Sequence, residues 1–169
     1  KGINELNTIY TGFLYAGLMI VDGEPFLIEY NVRMGDPECQ TILPKLKTDF
    51  LEIVKACVDK NLSSINIEWS NEKSLCIVLC SKGYPEKYNN NIEIKNLDKI
   101  FLKNNEFIYH AGTKNNKSKI FSNGGRVLNF VIISKEFIKS RDKALDLINE
   151  LNWDNGYYRK DIGFKVIDK

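Results

Sequence analysis

The sequence predicts an α+β protein, and three observations carry that reading. Two apolar runs flank Asp22-Gly23, the residue pair of a tight hairpin, so residues 13–21 and 25–31 read as antiparallel strands. After Thr48-Asp49, either of which can cap a helix, Phe50, Ile53, Val54, Cys57 and Val58 recur at helical spacing as far as Asp59. Farther on, several short strand-like segments precede one amphipathic helix, the order of an α+β unit rather than of repeated βαβ crossovers.

The elements follow in order. Residues 1–11 form a polar lead-in. Phe13 to Val21 is almost continuously apolar, which predicts a strand buried on both faces, and Pro25 to Asn31 is its returning partner. Asp36-Pro37-Glu38 reads as cap, first-turn proline and first-turn acid of a short helix from Pro37 to Leu43, stopped by Pro44. The polar run Asn61-Leu62-Ser63-Ser64 ends the next helix and marks a boundary, dividing the chain into 1–66 and 67–169. Leu75 to Cys80 is a buried strand leading into Ser81-Lys82-Gly83-Tyr84-Pro85. Short strands are expected at Ile92–Lys95, Glu106–His110, Lys119–Phe121 and Val127–Ser134, with exposed loops at Asn89–Asn91 and Lys114–Lys117. From Lys135 to Asn152, Phe137, Ile138, Arg141, Ala144, Leu145, Ile148 and Leu151 trace one helical face, and Tyr157 to Lys165 closes the chain.

Composition narrows the function. A chain of 169 residues with 43% hydrophobic content can bury a real core. Its 24 basic and 22 acidic residues are interspersed, which argues against a dedicated nucleic-acid binder. No apolar run reaches the roughly 20 residues of a membrane span, and no signal peptide is visible. Cys39, Cys57, Cys76 and Cys80 lack C-x-x-C spacing and sit among apolar or helical residues, as buried reduced thiols of a cytoplasmic protein would. The chain starts at Lys1, directly in patterned sequence, and reads as a piece of something larger.

Chemistry concentrates between Glu29 and Gln40. A strand turns residues i and i+2 to one face, so Glu29 and Asn31 present two oxygen donors together, a set suited to a hard cation such as Mg²⁺. Arg33 extends that face and would set a guanidinium beside the metal, ready for a phosphate. Gly35 is read as permitting a sharp turn. Each residue also has a plainer role: Asp36 as a helix cap, Glu29 as a solvated carboxylate, Arg33 as its ion-pair partner.

The whole string Glu29-Tyr30-Asn31-Val32-Arg33-Met34-Gly35-Asp36-Pro37-Glu38-Cys39-Gln40 resembles the metal-binding strand and following loop of the phosphoribosylamine–glycine ligase family, ATP-grasp enzymes of purine synthesis. Tyr10-Thr11-Gly12-Phe13-Leu14-Tyr15-Ala16-Gly17-Leu18-Met19 resembles the strand before it. Gly83-Tyr84-Pro85, His110-Ala111-Gly112-Thr113, Asn123-Gly124-Gly125-Arg126-Val127-Leu128 and Tyr158-Arg159 with Asp161-Ile162-Gly163 resemble strings of that family's C-terminal domain.

The resemblance implies the C-terminal part of an ATP-grasp domain followed by a small mixed α/β C-terminal domain. It implies ATP as co-substrate and Mg²⁺ or Mn²⁺ held by Glu29 and Asn31. Leu18 and Met19 stand where several relatives carry a further acidic ligand, so only two protein ligands are expected. Arg33 and Asp36 would be catalytic, Gly35, Asp36, Pro37 and Glu38 would face glycine or the ribose, and Arg126 would lie near the nucleotide or phosphoribosyl group. His110, the only histidine, and the Arg159–Asp161 pair also have ordinary structural readings. The nucleotide lid would come from upstream segments, so residues 1–169 alone are expected to be inactive. Two rivals stay open: another ATP-grasp carboxylate–amine ligase of the purine pathway, and a non-catalytic binding module.

Overall fold

A computed structural model describes residues 2–167, and the chain divides into two compact units. One comprises Lys1–Cys39 with Leu46–Ser70, the other Gln40–Lys45 with Asn71–Lys169.

The first unit opens with a short helix α1 (Gly2–Glu5) and a two-stranded hairpin, β1 (Tyr15–Val21) and β2 (Glu24–Asn31). Asp22 and Gly23 both take positive φ, +52° and +87°, as the twist of a two-residue hairpin turn requires. The register pairs Val21 with Glu24 and Tyr15 with Asn31, with an irregularity between Gly17 and Leu18. The expected burial of the first strand does not occur. Leu18, Met19, Ile20 and Val21 are 48–60% exposed, and Phe26, Leu27 and Ile28 match them at 51–63%. The reason is physical: a two-stranded ribbon buries neither face unless another layer packs on it.

The helix expected from Pro37 is shorter. Asp36 and Pro37 form a turn, α2 spans Glu38–Ile42, and a 3-10 turn over Leu43–Lys45 contains Pro44 rather than stopping before it. A 3-10 turn tolerates this proline, as helix ends commonly tighten in that way. Next comes α3 (Phe50–Val58), capped by Asp49, whose carboxylate accepts from the N–H of Leu51 at 2.7 Å and of Glu52 at 3.4 Å. Thr48 is not the cap. Its hydroxyl accepts from Glu68 N–H at 2.7 Å and donates to Asn66 O at 3.3 Å, pinning residues 66–68 alongside. On α3 only Ala56 is fully buried, so the apolar face read from the sequence is half covered.

The second unit is a four-stranded antiparallel sheet with one long helix. Its strands are β3 (Lys73–Ser81), β4 (Glu106–His110), β7 (Arg126–Ser134) and β8 (Gly156–Tyr157), in the order β4-β7-β3-β8. A separate hairpin joins β5 (Thr113–Asn116) to β6 (Lys119–Ser122). Residues 114–117 are therefore mostly strand, not an open loop. Their turn uses Lys117 and Ser118 at φ +50° and +64°, without the glycine or asparagine that normally announces such a turn. Conversely, Ile92–Lys95 forms no named strand. Glu93 alone bridges Phe121, because Asn91 and Asn96, both at positive φ, bend the chain on either side.

Helix α4 (Phe137–Leu151) covers one face of the sheet, ends at Asn152 in the left-handed conformation, and precedes a short α5 (Phe164–Ile167). Leu75, Ile77 and Leu79 of β3, Leu128, Phe130 and Ile132 of β7, and Ala144, Leu147, Ile148 and Leu151 of α4 form one core. Leu147 is fully buried, whereas Ile138, expected on the buried face, is 39% exposed. The buried Glu106 side chain lies 3.8 Å from Lys143 Nζ. All four cysteines are free thiols, but only Cys76 and Cys80, on the central strand, are buried as expected; Cys39 and Cys57, on short helices with partly covered faces, are intermediate. No helix among the described residues is long and apolar enough to cross a membrane.

Candidate active site

In the first unit the polar stretch folds on itself. Glu29 and Asn31 share one face of β2, and the Asn31 side-chain amide donates to Glu29 Oε1 at 2.8 Å. That bond aligns the two side chains and leaves each with one further oxygen. Across the ladder Gly17 faces Glu29, and a Cβ there would lie 3.1 Å from Glu29 Cγ. The small residue gives the carboxylate room to lie along the hairpin. Arg33 leaves the strand and donates from Nη1 to Met34 O at 2.9 Å, at an exposed position. No group of three or more His, Cys, Asp or Glu among the described residues is arranged to hold a metal. The donor set here is one carboxylate and one amide oxygen, which suits a hard cation that keeps water or phosphate oxygens as its remaining ligands.

Gly35 plays a different part from the one read in the sequence. Its φ is not positive, so the turn does not demand glycine for conformational freedom. What it demands is space. A Cβ at Gly35 would sit 2.3 Å from Glu38 Oε2 and 3.1 Å from the Tyr15 ring. Glu38 and Tyr15 thus close over the bare Gly35 backbone, and the Gly35 carbonyl accepts from Cys39 N–H at 2.9 Å to start α2.

Tyr15, which sequence reasoning did not single out, lies in the same cluster. It stands opposite Asn31 in the hairpin ladder. Partial burial pushes its phenol above the usual value, reinforced by the charge of Glu38, the hydrogen bond to Glu38 and the charge of Glu29, while Arg33 opposes them. Its position directly across from a proposed ligand was the available signal. Asp36 is exposed at the turn, where its charge adds to burial in raising the Cys39 thiol. Glu29, Asn31, Arg33, Gly35, Asp36, Pro37 and Glu38 are thus gathered with Tyr15 in one unit.

Arg126 belongs to the other unit, where the remaining strings meet at one end of the sheet. Ser81 N–H donates to Gly125 O at 2.7 Å and Ser81 Oγ to Gly124 O at 2.9 Å. Gly112 N–H donates to Arg126 O at 2.8 Å, and Asn123 N–H to Gly112 O at 2.7 Å. A Cβ on Gly125 would collide with the Tyr84 ring at 2.0 Å, and one on Gly112 would sit 2.8 Å from Gly124 Cα. Three segments far apart in sequence therefore interlock through glycines that admit no side chain. Arg126 lies close enough to Cys80 to favour its thiolate, against the larger effect of burial, which raises the thiol. Arg159 and Asp161 pair with each other, Nε to Oδ1 at 3.0 Å and Nη2 to Oδ2 at 2.6 Å, in the structural arrangement their spacing allowed.

Comparison with known proteins follows this division. Residues 74–165 match the profile of the phosphoribosylglycinamide synthetase C domain, and residues 1–39 that of the same synthetase's ATP-grasp (A) domain. A phosphoribosylamine–glycine ligase of Fusobacterium nucleatum is 40% identical over 164 residues, covering 96% of this chain and 38% of the relative. One from Caldanaerobacter subterraneus is 42% identical over 154 residues, covering 91% and 36%. Among solved structures, phosphoribosylamine–glycine ligase of Thermotoga maritima superposes with a TM-score of 0.79 at 31% identity, covering 96% of this chain and 39% of that one. The chain spans less than half the length of the relatives it matches.

Proposed function

Since the chain belongs to the phosphoribosylglycinamide synthetase family, with both its C domain and part of its ATP-grasp domain represented, we propose that it is a section of a carbon–nitrogen ligase. The parent polypeptide would join glycine to 5-phosphoribosylamine with ATP, giving glycinamide ribonucleotide, ADP and phosphate in purine synthesis. The observation that carries this reading is the alignment of Glu29 and Asn31 on one face of β2, beside a turn ending in Asp36-Pro37-Glu38.

Joining a carboxylate to an amine in water is uphill, so the carboxylate must first be activated. A glycine carboxylate oxygen attacks the γ-phosphorus of ATP and ADP leaves, giving glycyl phosphate. The amine of phosphoribosylamine then attacks the glycyl carbonyl, and phosphate leaves carrying one oxygen of glycine. Such phosphoryl transfer depends on positioning and charge neutralisation more than on covalent catalysis. Glu29 and Asn31 would hold Mg²⁺ or Mn²⁺, and such an ion supplies Lewis acidity toward phosphate oxygens. Arg33 stabilises the transferring phosphoryl group once its side chain leaves the Met34 carbonyl. Asp36 and Glu38 offer carboxylates to the ammonium of glycine or to ribose hydroxyls, on a backbone shaped by Gly35 and Pro37. Arg126, in the second unit, serves the nucleotide or the phosphoribosyl group.

The division into an ATP-grasp part, 1–66, and a C-terminal domain, 67–169, belongs to the same proposal, as does action in a reducing, cytoplasmic setting. So does dependence on upstream segments for nucleotide capture, which leaves residues 1–169 alone without turnover. The test is ADP release by the parent polypeptide, with phosphoribosylamine generated in place. The ligase reading requires release that depends on both phosphoribosylamine and glycine. Release indifferent to glycine would assign a different carboxylate donor, and none from a folded parent would favour a binding module.

A further inference from the structure

The chemistry proposed above leaves Tyr15 without a task, although it packs directly on the polar turn. Its ring covers the Gly35 backbone, where a Cβ would lie 3.1 Å from Tyr15 Cε2 and 2.3 Å from Glu38 Oε2. Ring edge and carboxylate therefore meet over one buried glycine. There the phenol donates a hydrogen bond to the Glu38 carboxylate. A phenol has one O–H to give. The charges of both Glu38 and Glu29 reach Tyr15, but the hydrogen bond goes to Glu38. Glu29 takes its own from the Asn31 side-chain amide at 2.8 Å.

Each carboxylate thus has its own neutral donor, and the two are held in different places, Glu29 along β2 and Glu38 over Gly35. A glutamate side chain left to itself samples several rotamers, and fixing it beforehand removes that ordering from the cost of binding. An ionised carboxylate accepts at about four lone-pair sites, so one phenol leaves most of them for a ligand. The surrounding charge selects what that ligand is. From Glu29 to Glu38 the chain carries three carboxylates, Glu29, Asp36 and Glu38, against the one guanidinium of Arg33. Such an excess favours a bound cation. An ammonium brings that charge together with three N–H donors, whereas a ribose hydroxyl brings no charge.

We propose that Tyr15 is a positioning residue, whose phenol fixes the Glu38 carboxylate over Gly35 to receive the ammonium of the amino-acid substrate and holds it apart from the Glu29–Asn31 pair. The inference rests on the ligase reading, which supplies glycine as that amino acid. The test measures glycine binding by calorimetry and glycine-dependent ADP release on the full-length parent polypeptide, for wild type, Tyr15→Phe, Glu38→Ala and the double variant. Tyr15→Phe keeps the ring over Gly35 and removes only the O–H, and unchanged melting near neutral pH separates lost positioning from lost fold. It should weaken glycine binding roughly tenfold, the worth of one hydrogen bond to a charged group, while kcat and the half-saturating Mg²⁺ change little. In the Glu38→Ala background the same change should cost nothing further, because no carboxylate is left to position. Equal losses in both backgrounds, no loss in either, or a loss shared alike by glycine and Mg²⁺ would overturn the role. Glycine-dependent ADP release without this coupling overturns the positioning role alone. Coupled glycine binding with ADP release indifferent to glycine contradicts the ligase and supports the role. Absence of both glycine binding and glycine dependence overturns the two together.

Discussion

The Asn31 side-chain amide donates to Glu29 Oε1 at 2.8 Å, so the two side chains proposed to hold a cation are already aligned with each other on one strand face. Prior alignment lowers the ordering that binding must supply. Asn31→Ala should therefore weaken cation binding more than removal of one neutral ligand would alone, because Glu29 loses its orienting partner. The expected result is a rise of roughly tenfold or more in the Mg²⁺ concentration that half-saturates ADP release. Glu29→Ala should raise it further, since the only carboxylate of the pair is gone.

Gly35 should accept no substitution, for reasons of volume rather than backbone conformation. In Gly35→Ala the new methyl would lie 2.3 Å from Glu38 Oε2 and 3.1 Å from the Tyr15 ring. Overpacking of this kind costs about 1–3 kcal/mol, though the carboxylate can swing aside and lessen it. Activity should fall more than stability, because the Glu38 carboxylate is what moves. Urea unfolding and glycine saturation measured side by side would show the difference.

Tyr15 gives a pH signature. Its phenol titrates above the usual 10.0 because of partial burial first and Glu38 second. The protonated phenol is therefore favoured in the folded state. Its contribution is complete below the unfolded value and is lost as pH rises through the raised folded value. Tyr15→Phe should flatten the alkaline limb of the stability profile above about pH 10 while leaving the neutral range little changed. Thermal melting across pH 8–11, roughly spanning the phenol's ordinary value, reads this directly.

In the second unit, Gly125→Ala drives a methyl into the Tyr84 ring, 2.0 Å from Cδ2. Tyr84 must leave, uncovering the joint between β3 and β7. A loss of roughly 1–3 kcal/mol is expected, with a changed near-ultraviolet tyrosine signal. Leu147→Ala, on the fully buried face of α4, should cost about 2–5 kcal/mol in urea unfolding without changing that signal.

How much of this was legible in the sequence depended on whether local chemistry or packing decided the outcome. The β1–β2 hairpin was plain, because Asp22-Gly23 is a local signal for two residues at positive φ. The β5–β6 hairpin was hidden, because Lys117-Ser118 adopts the same geometry without the usual residues. Asp49 as a cap and α4 as an amphipathic helix were readable from spacing, although Ile138, read on the buried face, is 39% exposed and Leu147, not among the residues traced for that face, is fully buried. The apolar run in β1 pointed to burial, but burial needs a covering layer, which a strand's own residues cannot announce. The shared face of Glu29 and Asn31 follows from strand alternation alone. Tyr15 over Gly35, and Tyr84 over Gly125, arise from contacts between distant segments, and only three-dimensional packing reveals them.

The most direct test of the account follows the oxygen. The parent polypeptide would be supplied with glycine labelled with ¹⁸O in its carboxylate, together with ATP and phosphoribosylamine, and the released phosphate examined by mass spectrometry. If the Glu29–Asn31 strand serves ligation through glycyl phosphate, each phosphate formed carries one labelled oxygen, and Glu29→Ala suppresses its formation. Phosphate formed without label, or labelled phosphate formed undiminished by Glu29→Ala, would contradict the account.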